Sequence, residues 1–368
     1  MARPTHPLLL LCVIVAAQLL APAGAAKFAC NARGGAARCQ SLLGYTPRNA
    51  TTLASVMSLF QVRSFRSILA ANGLPLSTPP SRPVPAGATV RVRFACACSA
   101  GHGTSMHRPF YKVAPGETLD GIARGVFAGF VTYQEIAAAN NISDPALVQA
   151  GRELHVPLPC SCDEVEGAAV MHYAHLVAAG SSVKGIAAEF GTEEETLMSL
   201  NGIRDPKSVQ AGQVLDVPLR ACSSSISNAS IDRGLHVPNG SYILTANNCV
   251  LCSCSSSTWQ LECHPTKGLS SSACPAATCG DVVLGNSSSS TECESKTCVY
   301  GGYTNTTAAS FNILTNLTTQ SLCDAAGTPM PQPSAGFDLQ SPVRWAYLAV
   351  LLSICLNMAL VGSSSSVL

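Results

Sequence analysis

What this chain lacks first is charge of one sign. Its 22 Lys and Arg nearly cancel 21 Asp and Glu, leaving a formal +1 over 368 residues, and no long Lys or Arg block occurs. A field that weak gives no reason to expect a nucleic-acid partner. Catalytic signatures are missing as well. No His-Glu-x-x-His run is present, and His172 and His175 lie three residues apart on an expected strand. Glycoside hydrolysis needs two carboxylates on a rigid scaffold, yet Asp232, Glu262, Asp281, Glu292, Glu294 and Asp324 are scattered among serine tracts. No segment outside the repeats and the Cys-rich region is long enough for a catalytic domain, so neither an enzyme nor a cofactor is expected.

The longest apolar runs sit at the two ends. Leu8 to Leu20 follows Arg3 and precedes Ala21-Pro22-Ala23-Gly24-Ala25-Ala26. A basic start, a short apolar stretch and small exit residues describe a secretory signal peptide over residues 1–26. Trp345 to Val361 forms a second run, whose length is at the lower limit for spanning a membrane. Only Gly362-Ser363-Ser364-Ser365-Ser366-Val367-Leu368 follows, without the cations of a stop-transfer helix. Upstream, the small trio Ser334-Ala335-Gly336 is separated from the run by the spacer Phe337 to Arg344. Small site, polar spacer and apolar tail together make the signal for a glycolipid (GPI) anchor. Ser334 is the expected attachment residue, residues 335–368 are expected to be removed, and residues 324–344 read as a proline-bearing stalk. The mature protein is therefore expected on the outer face of the plasma membrane.

Cysteine usage agrees with export. Of 18 cysteines, Cys12 falls in the leader and Cys355 in the discarded tail, which leaves 16 to pair in an oxidising compartment. Residues 222–323 hold ten of them among serine tracts with few apolar runs, so this region must rest on disulfides and is expected to be irregular. Cys249-x2-Cys252-x-Cys254 has the outline of a metal knuckle, but the single nearby His264 and the oxidising setting favour bridging. Seven Asn-x-Ser/Thr sites, at Asn49, Asn141, Asn228, Asn239, Asn286, Asn305 and Asn316, mark expected glycans on exposed segments.

Three near-copies of one phrase organise the chain as far as Arg220. The second reads Asn140-Asn141-Ile142-Ser143-Asp144-Pro145, then Gln149-Ala150-Gly151, then Val156-Pro157-Leu158. The third repeats it from Asn201 at a constant offset, and a weaker first copy starts at Asn72. Each copy reads as strand, helix, helix, strand, spanning residues 27–95, 109–158 and 171–220. Thr132 with Glu135, and Thr192 with Glu195, have the capping-box spacing and are expected to open the second helices. Modules this small bury little surface and need staples. Cys96-Ala97-Cys98, Cys160-Ser161-Cys162 and Cys222 close the three copies, with Cys30 and Cys39 placed before them as mates. A bridge inside Cys-x-Cys would be strained, so each thiol should reach a different partner.

Tyr111, Val113, Gly116, Thr118, Leu119, Ile122, Ala123, Asn140, Ile142, Gly151, Leu154, Val156 and Pro157 form a pattern that resembles the LysM module. The whole layout is similar to that of the plant LysM-containing GPI-anchored proteins. In the first copy the motif is degenerate, because Ser77 to Pro83 enlarges the loop before the last strand. The resemblance implies an α+β fold of three β-α-α-β modules, stapled by disulfides and followed by the Cys-rich region. It also implies binding of chitin fragments, peptidoglycan or both, by a receptor acting in innate immunity. Pro115, Gly116, Glu117, Thr118, Leu119 and Asp120 would face Ile142, Ser143, Asp144, Pro145, Ala146, Leu147 and Val148 across a shallow groove. Gly180, Ser181 and Ser182 would face Ile203, Arg204, Asp205 and Pro206 in the third module. The resemblance further implies the pairings Cys30–Cys98, Cys39–Cys162 and Cys96–Cys160. A LysM receptor kinase would be the signalling partner, reached through a long glycan or through pairing with a related LysM chain. A protein that only coats wall glycans is the competing expectation, and a LysM-targeted hydrolase a weaker one.

Overall fold

The computed structural model describes residues 28–31, 38–168, 170–270, 273–291, 293–306, 310–321 and 323. The leader and the anchor signal with Ser334 lie outside these. None of the helices among the described residues is long and apolar enough to cross a membrane. The described residues form two compact units, one of those up to Ser288 with Thr297–Thr318, the other of those within Ser289–Lys296 and after Thr318. In the smaller unit, Cys293 is bonded to Cys323.

The larger unit holds all three modules. In the first, β1 (Arg38–Tyr45) pairs antiparallel with β4 (Val90–Ser99), and between them lie β2 (Thr51–Thr52), α1 (Leu53–Leu59), α2 (Phe65–Ala71) and β3 (Pro83–Val84). The second follows β5 (His102–Ser105) and consists of β6 (Phe110–Lys112), α3 (Leu119–Gly121) running into a π-turn over Ile122–Val126, α4 (Tyr133–Ala139) and β7 (Glu153–His155). After β8 (Pro159–Cys160), the third is β9 (Val170–Leu176), α5 (Val183–Phe190), α6 (Glu194–Leu200) and β10 (Val214–Cys222).

Local chemistry explains these helices. Thr132 caps α4 through the amide of Glu135, whose carboxylate returns to the Thr132 amide, while Ile136 and Ala137 turn inward. Ala139, in the last turn of α4, is exposed. Ser182 caps α5, and Gly191 ends it in the left-handed region at φ 68°. The expected Thr192–Glu195 box does not form. Glu193 is the residue before α6, and it makes no side-chain cap. Thr192 stands one position before that residue, and its amide bonds the Ala187 carbonyl at the end of α5 instead.

The modules are fused unequally. Leu42 and Leu43 of β1 pair in parallel with Tyr173 and Ala174 of β9, so modules one and three share a sheet. The second module keeps its own two-stranded sheet, β6 with β7. It packs on the first through Tyr45, Phe60, Phe127 and Tyr111, whose rings follow one another edge to face at 5.1–5.9 Å. Disulfides Cys30–Cys98, Cys39–Cys162 and Cys96–Cys160 cross the junctions, with each Cys-x-Cys reaching two different partners.

The Cys-rich segment that follows was expected to be irregular but is built of strands joined by loops, short up to Pro265 and longer at Glu294–Asn305 and Phe311–Ser321. β11 (Val237–Pro238) extends the large sheet beside β10, and β12 (Tyr242–Thr245), β13 (Val250–Cys254) and β14 (Leu261–Pro265) form a three-stranded one. Cys249, Cys252 and Cys254 each take a separate partner, Cys274, Cys263 and Cys222, so the knuckle outline is disulfide chemistry. Tyr242 seals this segment to the first module by donating to the Leu74 carbonyl at 2.7 Å.

Candidate functional site

An asparagine in the same position closes each of the three modules. Asn140 donates to the carbonyls of Ile136 and His155, both at 2.8 Å, and accepts from the His155 amide at 2.8 Å. Asn201 does this with Leu197 and Asp216, and Asn72 with Ile68 and Arg91. The motif asparagine thus ties the second helix to the last strand and is an architectural residue. A repeated glycine sets the opposite edge. Gly151, Gly212 and Gly87 donate to the carbonyls of Val113, Val177 and Pro47, at φ of 84°, 84° and 80°. A Cβ would meet nothing within 4 Å there, so backbone conformation and not space demands glycine.

The two loops expected to form the lips of the groove start from this common base. On the first lip of module two, Pro115 and Gly116 are exposed and Glu117 is half-buried. The Glu117 carboxylate accepts from the Tyr111 hydroxyl and the Ala114 amide, both at 2.8 Å, which braces the turn. Burial and that carboxylate push the Tyr111 phenol up to about 12, so it stays protonated as the donor. Thr118 caps α3 through the Gly121 amide, and exposed Asp120 pairs with Arg124 at 2.8 Å. Leu119 is only 1% exposed and packs in the core, so its side chain is not part of the lip surface.

On the second lip, Asp144 accepts from the Ala146 amide at 2.9 Å and so shapes the turn through Pro145. Ser143 and Ala146 are exposed, whereas Ile142 and Val148 are half-buried against the core. Leu147 stands out at 72% exposure. The third module builds the same lips from different chemistry. Gly180 and Ser181 are exposed, Ser182 caps α5, Ile203 is buried, and Arg204 and Pro206 are exposed. Asp205 accepts from the Lys207 amide at 2.9 Å. At the positions of Ser143, Ala146 and Leu147 stand Arg204, Lys207 and Ser208.

The first module has no open lips. Its enlarged loop folds back so that Thr51 and Thr52 pair with Val84 and Pro83. The amides of Leu53 and Ala54, which open α1, donate to the carbonyls of Arg82 and Pro80 at 3.1 and 2.9 Å. What the loop insertion does physically is cover the end of the helix that is exposed in the other modules.

Sequence reading missed one buried polar centre. His172 lies between Asp216, 2.9 Å from Nδ1, and the Asp163 carbonyl, 2.7 Å from Nε2. Ser41 of β1 donates to the His172 carbonyl at 2.8 Å, so the cluster sits where modules one and three join. Its position on a strand beside an apolar neighbour gave no signal, because Asp216 is distant in the chain.

All seven sequon asparagines, Asn49, Asn141, Asn228, Asn239, Asn286, Asn305 and Asn316, are exposed. Asn141 borders the second lip at a positive φ of 53°.

Known proteins share this plan. The LysM domain family matches residues 111–157 and 175–218, the two modules with open lips. The chain is 43% identical over 339 residues to the chitin elicitor-binding protein of Oryza sativa subsp. japonica, covering 91% of this chain and 93% of that one. It is 43% identical over 281 residues to LysM domain-containing GPI-anchored protein 2 of Arabidopsis thaliana, covering 75% and 79%. It is also 38% identical over 288 residues to LysM domain-containing GPI-anchored protein LYP6 of Oryza sativa subsp. japonica, covering 75% and 69%. With these identities over most of its length, the chain belongs to the family of LysM domain-containing GPI-anchored proteins.

Proposed function

We propose that the protein is a cell-surface pattern-recognition receptor that binds N-acetylglucosamine glycans through its second module and breaks no bond in them. A relative of similar length is named for binding a chitin elicitor. The observation that carries the reading here is Leu147, an apolar side chain held 72% exposed on a braced lip. An N-acetylglucosamine chain is neutral, with a methyl to bury and an amide to hydrogen-bond. Leu147, with half-buried Ile142 and Val148 beside it, offers the methyl a seat, and the turn at Pro115-Gly116 offers backbone groups to the amide. The acids of these lips are engaged with Tyr111, the Ala114 and Ala146 amides and Arg124, which favours binding over acid–base work.

Anchoring at Ser334 would hold the modules on the outer face of the membrane. The protein's signal in innate immunity passes through a LysM receptor kinase, brought near by a long glycan or by pairing with a related LysM chain, where linkage raises effective concentration. Titration of the glycosylated ectodomain with chitin oligomers and with peptidoglycan fragments tests the reading. Binding of at least one, lost in Leu147→Asp with thermal stability unchanged, is the expected result. Undiminished affinity in that variant would remove the second module as the site, and cleavage of either polymer would remove the non-catalytic reading.

A further inference from the structure

A cleft of about 1250 Å³ opens between the second and third modules. One wall is the outer side of the second module's helices, where Ala128, Ala138 and Ala139 leave space that larger side chains would fill. The other wall is the loop from Ser208 to Val214 of the third module. Its size exceeds the ~300–1,000 Å³ usual for small-molecule pockets, and suits a stretch of polymer.

The lining is close to neutral. Asp120 pairs with Arg124, and the Glu135 carboxylate is held by the amide and hydroxyl of Thr132. Burial keeps His155 below its ordinary pKa, so that ring adds no charge at neutral pH. Arg48 is the remaining cation of the wall. Gln134, Gln210 and Gln213 supply amide donors and acceptors, and half-buried Tyr133 supplies a ring face. Amides and one aromatic over a floor of alanines match an uncharged, acetamido-bearing chain better than an anion or a peptide of high charge.

Continuity gives the cleft its meaning. Asp120 belongs both to the first lip of module two and to the cleft wall, and Ser208 belongs both to the second lip of module three and to the opposite wall. We propose that the cleft is a second saccharide-binding surface that continues the second-module groove toward the third, so that one N-acetylglucosamine chain lies across both modules of a single receptor. This rests on the function proposed above and assigns it a length preference: short chains occupy the groove alone, and long ones gain the cleft.

Calorimetry of the whole glycosylated ectodomain with the N-acetylglucosamine tetramer and octamer tests it. Ala138→Trp fills the cleft from an exposed position, and Gln213→Ala removes an amide from its wall. The wild type should bind the octamer at least tenfold more tightly than the tetramer, at one chain per protein. Ala138→Trp should lower octamer affinity to the tetramer level and leave the tetramer unchanged, with Gln213→Ala intermediate. An unchanged octamer-to-tetramer ratio in Ala138→Trp would overturn the proposal, as would an advantage that arises only at one octamer per two proteins. Loss of tetramer binding in Leu147→Asp is the separate signature of the parent reading. A wild type that binds neither oligomer overturns both.

Discussion

Leu147 and Ser208 occupy the same position in two copies of one module, each at the end of the short helical turn that an Asp caps and a Pro begins. One is a leucine held in solvent, the other a serine next to Lys207. Two lips on one backbone plan therefore differ in what they offer an acetyl methyl. Partial burial of a leucine contributes about 1–2 kcal/mol, or roughly 5- to 30-fold in affinity. Leu147→Ser should weaken tetramer binding by that factor, and Ser208→Leu should add a second, weaker site. Calorimetric stoichiometry distinguishes the two.

The asparagine clamp predicts a stability effect and no direct binding effect. Each of Asn72, Asn140 and Asn201 makes three hydrogen bonds of 2.7–2.9 Å that close its module. At ~0.5–1.5 kcal/mol for each bond, replacement by Ala should cost about 2–4 kcal/mol. Denaturant midpoints of the oxidised protein measure this. If Asn140→Ala abolished binding at full stability, the residue would be a ligand contact and the clamp reading would be wrong.

A pH dependence follows from His172. Burial opposes charge on its ring, but the Asp216 carboxylate and the Asp163 carbonyl outweigh it and raise the pKa above the ordinary value. An unfolded histidine titrates near ~6.5. With the folded value higher, the stabilisation is fully present below about pH 6.5 and is lost as pH rises through the folded pKa. Urea midpoints taken from about pH 6 to pH 9 should fall in the wild type, and the part due to this ring should be absent in His172→Gln. A wild-type slope that the variant reproduces would show that His172 is buried neutral.

Local features of this fold were legible in sequence, and features made by distant chain were not. The Thr132–Glu135 box and the glycine at the strand end are written within a few residues, where spacing alone determines the geometry. Thr192 shows the limit of that reasoning: its spacing to Glu195 fits a capping box, but the helix opens after Glu193 and the Thr192 amide is taken by the end of the preceding helix. The parallel pairing of Leu42 with Tyr173 joins strands from the first and third modules, with the whole second module between them in sequence, and leaves no periodic trace. For the candidate site, sequence could not tell the exposed Leu147 from the buried Leu119, because both belong to the same motif and only packing separates them. Closure of the first module was visible as an insertion, yet its effect depended on where Arg82 and Pro80 folded back.

Asn141 carries the last prediction. Its φ of 53° matches Gly73 at 61° and Gly202 at 62°, so an asparagine takes a left-handed position that is glycine in the other two modules. That substitution creates the sequon Asn141-Ile142-Ser143 at the edge of the second lip. A glycan there stands beside half-buried Ile142 and competes for the space a long ligand would cross. Asn141→Gly removes the glycan and relieves up to ~1 kcal/mol of backbone strain, so the variant should be at least as stable as the wild type. Made in a glycosylating host, it should bind the octamer several-fold more tightly and the tetramer about equally, and enzymatic deglycosylation of the wild type should produce the same change. Equal octamer affinity before and after deglycosylation would show that the glycan projects away from the groove and leaves ligand length to the protein surface alone.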